Sequence, residues 1–320
     1  MQNPDPAAWL KWRSYMANRP AISKLTLGTV QLGMRYGINN TIGQPTISSS
    51  HELLNFALLN GVTTLDTARI YGNAETVIGS FQNKDSFTII TKFKLSDEAL
   101  LDKHKALDEA RESLKGSCNS LSVEQIPICL FHQNKEQSAQ QANLVLPFVF
   151  TSLKKEGLIE EGGISVYKPS DLTEITEWEL IQNVQVPLNI FDLRIFNNNI
   201  IDTLIANNVR IFARSIFLQG LILMTDDQLT ASMGFAIDPL KKLKSIASKN
   251  GKLVKEIAFA FVRDTVGITS LVVGAETIGQ LKENIELLST PKLTPELYAE
   301  IKACFAQMPE LLITPAQWPH

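Results

Sequence analysis

The sequence predicts an α/β fold, a (β/α)8 TIM barrel forming a single domain, and three observations predict it. Short β-branched runs alternate with longer amphipathic stretches along almost the whole chain, as repeated βα units on a parallel sheet require. Eight such runs can be counted. Polar residues recur at the C-terminal ends of several different runs, the face on which a barrel assembles its site. A doubly wound open sheet would instead show Gly-x-Gly-x-x-Gly after its first strand, with an acid about 20 residues on. That place holds Gly28-Thr29-Val30-Gln31-Leu32-Gly33, which lacks the spacing. The 320 residues suffice for one such barrel of about 250 residues with additions.

In chain order, residues 1–23 read as an N-terminal extension and 24–320 as the barrel. Within the extension, Ala7 to Met16 reads as an amphipathic helical stretch whose Trp9 and Trp12 pack on the barrel or on a partner. Strands are expected near 25–29, 63–66, 87–91, 126–131, 161–165, 183–187, 209–213 and 268–273. The first helix is expected to open at a capping box, Ser49-Ser50-His51-Glu52, and to stop at Gly61. Later helices are expected near 73–82, 105–117, 136–156, 170–178, 198–207, 237–250, 252–264 and 277–288. Thr294-Pro295-Glu296 opens a last helix with an N-cap, a first-turn proline and an early acid. The tail from Leu311 to His320 is too apolar for a solvated end, so it either covers part of the mouth or seals the exterior.

Composition narrows the class. Apolar residues are 44% and charged residues 20%, near globular averages, which excludes a disordered chain and a membrane protein. A net charge of −3 without a basic stripe argues against a nucleic-acid partner. The longest apolar runs, such as Leu144 to Phe150, fall far short of the roughly 20 residues that span a bilayer. The first residues lack a basic region followed by an apolar core, so no signal peptide is expected. Cys118, Cys129 and Cys304 are odd in number and widely spaced, which fits reduced thiols and a cytoplasmic location. His51, His104, His132 and His320 show no ligand spacing, so no metal site is expected. Oligomeric state stays open.

Four polar residues carry the chemistry: Asp66 and Tyr71 in Leu65-Asp66-Thr67-Ala68-Arg69-Ile70-Tyr71-Gly72, Lys92 after Ile89-Ile90-Thr91, and His132 after Leu130-Phe131. A tyrosine hydroxyl, with an ordinary pKa of about 10, needs help to act as an acid near neutrality. An ammonium at Lys92 favours the phenolate and lowers that pKa, while Asp66 holds the ammonium charged. A neutral His132 donates to the same substrate oxygen and stabilises negative charge as hydride arrives. Singly, each has a bland reading: Asp66 as a turn cap, Tyr71 as a rim aromatic, Lys92 as a solvated strand end, His132 as a bonded core histidine. Falling in order on successive strand ends, they favour a site.

This set, with Glu75 following Tyr71-Gly72, resembles the aldo/keto reductase family over about residues 24–288. The resemblance implies a barrel that binds NADP(H) or NAD(H) without a Rossmann fold, with Tyr71, Lys92, Asp66 and His132 matching the catalytic tetrad. It also implies cofactor contacts. Thr29 lies beside the cofactor, Ser165 and Gln185 hold the nicotinamide carboxamide, and Val166 replaces an asparagine usual there. Arg214, Ser215, Leu218, Gln219 and Gly220 follow the pyrophosphate, with Arg214 standing where many members have an aromatic and favouring the reduced cofactor. Gly274, Glu276, Thr277, Gln280, Glu283 and Asn284 wrap the adenosine. Glu276 takes the place of a basic residue that would pair a 2′-phosphate, although an acid at a helix N-terminus is favourable for dipole reasons alone.

On the substrate side, Arg35, Tyr36 and Asn39 near the mouth suit the hydroxyls of a sugar, and their loop is similar to that of bacterial members in carbohydrate or surface-polysaccharide metabolism. The expected function is NAD(P)H-dependent reduction of an aldehyde or ketone, sugar-like ones included. A cofactor-sensing binding protein and a sugar epimerase that retains its cofactor fit the same residues.

Overall fold

Strand side chains alternate between outward and inward directions, and in a closed barrel the inward set stacks in layers along the axis. The computed structural model describes residues 19–37, 40 and 43–318. Strands β1 (Leu25–Gly28), β2 (Thr64–Asp66), β3 (Thr88–Phe93), β4 (Ile126–His132), β5 (Ile159–Ser165), β6 (Asn183–Pro187), β7 (Arg210–Arg214) and β8 (Ile268–Gly274) run parallel and close in sequence order, β8 pairing with β1. Around them lie α1 (Ile47–Leu59), α2 (Ala74–Gly79), α3 (Lys103–Leu121), α4 (Ala139–Lys155), α5 (Ile200–Ala206), α6 (Gly234–Lys249), α7 (Val254–Asp264), α8 (Ile278–Leu288) and α9 (Pro295–Cys304). The chain forms the (β/α)8 barrel that its rhythm predicts.

The axial layers explain where the site lies. Ile90, Ile128, Leu130, Phe212 and Val272 make a buried apolar cluster inside the barrel, separate from the larger core between sheet and helices, and Ile22 packs on it. Two residues farther along, on the same inward face, four of these positions become Lys92, His132, Arg214 and Gly274. By the same step Thr64 leads to Asp66, Gly163 to Ser165 and Asn183 to Gln185. An apolar plug thus forms the floor of a polar layer.

At the opposite end, Arg19 closes the barrel by donating to Glu161 through Nε at 2.6 Å and Nη2 at 3.1 Å. Ser23 Oγ and Thr64 Oγ1 bond at 3.1 Å, and Thr88 Oγ1 donates to the Ala21 carbonyl. The helical stretch expected over Ala7 to Met16, with Trp9 and Trp12, lies outside the described residues.

Two elements differ from expectation. Helix α1 begins at Ile47, because Thr46 is the cap and its Oγ1 accepts from the Ser49 amide at 3.2 Å; Ser49 therefore sits within the first turn instead of opening it. The helix expected over 170–178 is a single 3-10 stretch, Pro169–Glu174. Thr173 Oγ1 bonds back to the Ser170 carbonyl, and the β-branched Thr173, Ile175 and Thr176 do not sustain a helix. The tail answers to both of its expected roles. Glu310, Ile313 and Thr314 to Ala316 border the main cavity, while Trp318 is buried against Phe235 and donates Nε1 to the Leu311 carbonyl at 2.9 Å. Among the described residues no helix is long and apolar enough to cross a membrane.

Candidate active site

The loop that presents Tyr71 is fixed by close backbone contact. The Tyr71 amide bonds to the Ala68 carbonyl at 2.9 Å, and Gly72, at φ 56°, lies flat on Gly33. A side chain at Gly33 would collide with the Tyr71 carbonyl, and one at Gly72 with the Gly33 carbonyl. Glu75, buried at the start of α2, accepts from Thr91 Oγ1 at 2.6 Å and ties the same loop to β3.

Beneath Tyr71 lies Lys92, wholly buried. Its Nζ donates to Asp66 Oδ1 at 2.7 Å and to the Thr67 carbonyl at 2.9 Å, and stands 5.1 Å from the Tyr71 ring centre. Burial alone disfavours the ammonium, but Asp66 and Tyr71 outweigh it and hold the Lys92 pKa above its ordinary value. Across from Tyr71, the His132 ring meets it edge to face, centroids 6.4 Å apart. The imidazole is pushed well below its usual range by burial and by the charges of Lys92 and Arg214, so it is neutral. Its Nδ1 is buried with no hydrogen-bond partner among the described residues, which leaves Nε2 as the nitrogen able to serve the cavity.

The expected lowering of Tyr71 is corrected by this geometry. Lys92 does pull its pKa down, but burial penalises the phenolate more, and the Asp66 carboxylate adds to that, so the net shift is upward. Tyr71 is a well-protonated hydroxyl.

A cavity of about 840 Å³ opens above this layer. Thr29, Tyr36, Asp66, Tyr71, His132, Gln185, Arg214, Ser215, Gln219, Gly220, Gly274, Glu276, Gln280, Glu283 and Asn284 all line it, so the structure brings together most of the residues singled out by sequence. Others fall outside its wall. Ser165 is buried behind it and donates to Gln185 Oε1 at 3.1 Å; Leu218 is buried; Thr277 is the cap of α8. Arg35 turns its guanidinium to the Asn40 carbonyl and does not line the cavity. Asn39 lies outside the described residues.

Several partners differ from those implied. Gln185 Nε2 donates to Asp66 Oδ1 at 2.7 Å, which joins the expected carboxamide pair to the Lys92 ion pair. Arg214 donates to the Val166 carbonyl at 2.9 Å and to Ser215 Oγ at 3.2 Å, and lies over the Tyr167 ring at 5.2 Å. Gln219 Nε2 donates to the Tyr36 hydroxyl at 3.2 Å, linking the loops after β1 and β7 across the mouth. Glu276 and Gln280 bond to each other.

The residues present fit a nicotinamide dinucleotide. Ser215, Leu218, Gln219 and Gly220 have φ of 62°, 50°, 54° and 98°, a tight left-handed turn closed by the Leu218 and Gly220 amides on the Ser215 and Phe217 carbonyls at 2.9 Å, and it brings Ser215, Gln219 and Gly220 to the cavity wall. The N-terminus of α8 opens beside the same cavity, and Gln31 adds to its wall a buried Oε1 that has no hydrogen-bond partner among the described residues. Among the described residues no cluster of three or more His, Cys, Asp or Glu is placed to hold a metal.

Sequence reasoning missed Gln31, Lys135, Tyr167, Lys168 and Arg194 as lining residues. Tyr167 and Lys168 follow the end of β5 by two and three residues, a position on the site-bearing face that could have marked them.

Comparison with known proteins agrees with this geometry. The profile of the aldo/keto reductase family matches residues 24–306. An uncharacterised oxidoreductase of Bacillus subtilis is 25% identical over 302 residues, covering 88% of this chain and 91% of its own. An aldo-keto reductase from Bacillus halodurans, in its holo form, superposes with a TM-score of 0.70 at 20% identity, over 88% of this chain and 92% of its own. An aldo/keto reductase from Klebsiella pneumoniae, in complex with NADP and acetate, does so with a TM-score of 0.65 at 18% identity, over 91% and 93%.

Proposed function

Because the chain belongs to the aldo/keto reductase family, whose members are nicotinamide-dependent oxidoreductases, we propose that it reduces an aldehyde or ketone to an alcohol with Tyr71 as the proton donor. The observation that carries this is the buried Lys92–Asp66 pair set under a protonated Tyr71, with a neutral imidazole facing it. A bound reduced nicotinamide supplies the hydride. Tyr71 Oη gives its proton to the substrate oxygen, and the phenolate left behind is stabilised by the Lys92 ammonium. His132 Nε2–H donates to the same oxygen, orienting the carbonyl and offsetting its developing charge.

Ser215 to Gly220 and the start of α8 would hold the phosphates, and Gln185 with Ser165 the carboxamide. Arg214 places a cation at the nicotinamide end, which disfavours the positively charged oxidised ring and favours the reduced one. At the adenosine end Glu276 and Glu283 line the cavity, and no lysine or arginine of β8 or α8 does so among the described residues. Glu283 is paired with Lys255 at 3.1 Å, whereas the Glu276 carboxylate opposes a 2′-phosphate, so NADH is expected to bind at least as tightly as NADPH.

Titration with NADPH and NADH, followed by cofactor fluorescence with and without a panel of aldehydes and sugars, tests the reading. Binding with substrate-dependent oxidation supports it. Binding without oxidation favours the sensing protein or the epimerase, and no binding of either cofactor removes it.

A further inference from the structure

The substrate half of the cavity is walled by a cation from each of four successive strand ends or the loops after them: Lys135 after β4, Lys168 after β5, Arg194 after β6 and Arg214 at the end of β7. A second cavity of about 340 Å³ adjoins it, and Lys168, Arg194, Glu310 and Ile313 line both. The junction between the two is therefore built around a lysine and an arginine.

Arg194 is rigidly placed there. Its Nε and Nη2 fork onto the wholly buried Asp192 at 2.8 and 2.7 Å, and the Asp192 amide is tied to Asn189 Oδ1 at 3.0 Å. This leaves Nη1 with no acceptor among the described residues. Lys135 and Lys168 form no ion pair among the described residues either. Asp192 pairs with Arg194, and Asp171, which accepts from Gln133, acts on Lys168 and Arg194 from outside both cavities; of these carboxylates Glu310 is the one that lines the junction itself. The other end of the cavity carries Glu276 and Glu283, the latter paired with Lys255 at 3.1 Å. Charge is thus divided along the cleft, and a concave wall of one sign concentrates ligands of the other.

Resting on the carbonyl-reduction reading above, we propose that the natural substrate carries an anionic group, a phosphate or a carboxylate, set away from its reacting carbonyl. Lys168 and Arg194 receive that group where the two cavities meet. Ser170, Asn197 and Gln307, which line the smaller cavity, add hydrogen-bonding groups on the far side of the junction for the anionic group or whatever extends past it.

The test compares aldehydes paired by size, with kcat/KM for each: D-glyceraldehyde 3-phosphate against D-glyceraldehyde, and succinic semialdehyde against butanal. The anionic member of at least one pair should be preferred by tenfold or more at low salt, with the advantage shrinking as ionic strength rises. Preference confined to the first pair identifies a phosphate, and confined to the second a carboxylate. Lys168→Glu should erase the preference, its loss falling at least tenfold harder on the anionic member than on the neutral one. This variant is exposed and is the safer probe, since Arg194→Ala strands buried Asp192; Arg194→Lys is its companion and should keep part of the preference. Equal kcat/KM within both pairs, or equal losses in Lys168→Glu, overturns the proposal while leaving carbonyl reduction standing. Failure to reduce any of the four aldehydes, despite cofactor binding, overturns both.

Discussion

The side-chain amide of Gln185 donates to Asp66 Oδ1 at 2.7 Å, and Lys92 Nζ donates to the same oxygen at the same distance. Ser165 Oγ in turn donates to Gln185 Oε1. A chain of hydrogen bonds therefore runs from β5 through β6 to the ion pair beneath Tyr71, and a group that engages Gln185 acts on Asp66 as well.

Removing the middle of that chain should be costly in two ways. Gln185→Leu takes a donor from a buried carboxylate, a loss of about 1–3 kcal/mol in urea-induced unfolding. It should also weaken nicotinamide cofactor binding, read by fluorescence titration. Unchanged stability would show that Asp66 draws nothing from Gln185.

Tyr71→Phe deletes the proposed proton donor while keeping the ring against His132. Turnover should fall by roughly 10²–10⁴, with cofactor affinity preserved. Turnover equal to that of the native chain would end the assignment of Tyr71 as the acid.

The pH profile follows from the two shifts. Reduction needs Tyr71 protonated; its raised pKa keeps that form complete at neutrality and lost only above about 10, so the alkaline limb is late. His132 must be neutral; its depressed pKa puts the acid limb well below about 6.5. Arg214 is among the charges that depress His132, after burial and Lys92, so Arg214→Gln should move the acid limb to higher pH. A limb that stays in place would mean that His132 protonation does not set it.

How much of this was legible in the sequence depends on what kind of fact it was. Strand positions and the tetrad's order could be read because some barrel strands end an apolar run on a polar inward residue, as Ile90 to Lys92 and Leu130 to His132 show. Period-two alternation gives the face but not the partner across the barrel, so the contact of Gln185 with Asp66, 119 residues apart, stayed hidden. The net rise of Tyr71 was equally out of reach, since a neighbouring lysine is visible in sequence while the depth of burial that overrides it is not. Arg194 could not be assigned because its loop has no periodicity, and its guanidinium is fixed by the buried Asp192 and the Tyr167 carbonyl, contacts that the sequence does not show.

Gly72 offers a test of how tightly the site is built. Its φ of 56° and the carbonyl of Gly33 directly against it leave no room for a side chain. Gly72→Ala should therefore displace the loop carrying Tyr71, and by about 1 Å of misplacement cut turnover on the order of 10²-fold. The variant's circular dichroism should stay barrel-like, because the eight strands are untouched.

The other end of the barrel predicts stability, not turnover. Glu161, nearly fully buried at the start of β5, accepts from Arg19, Asn183 and Arg210. Burial alone would raise its pKa, but the bonds from Arg19 and Asn183 and the charge of Arg210 prevail and lower it. A carboxylate whose folded pKa lies below its unfolded value contributes stability that is present above about pH 4.3 and lost as pH falls through the folded value. Glu161→Gln removes the buried carboxylate charge onto which both guanidiniums donate, so it should cost about 3–5 kcal/mol near neutrality. The same variant should lose less on acidification than the native chain does. Parallel acid-unfolding curves for the two would show that Glu161 does not carry this part of the pH dependence.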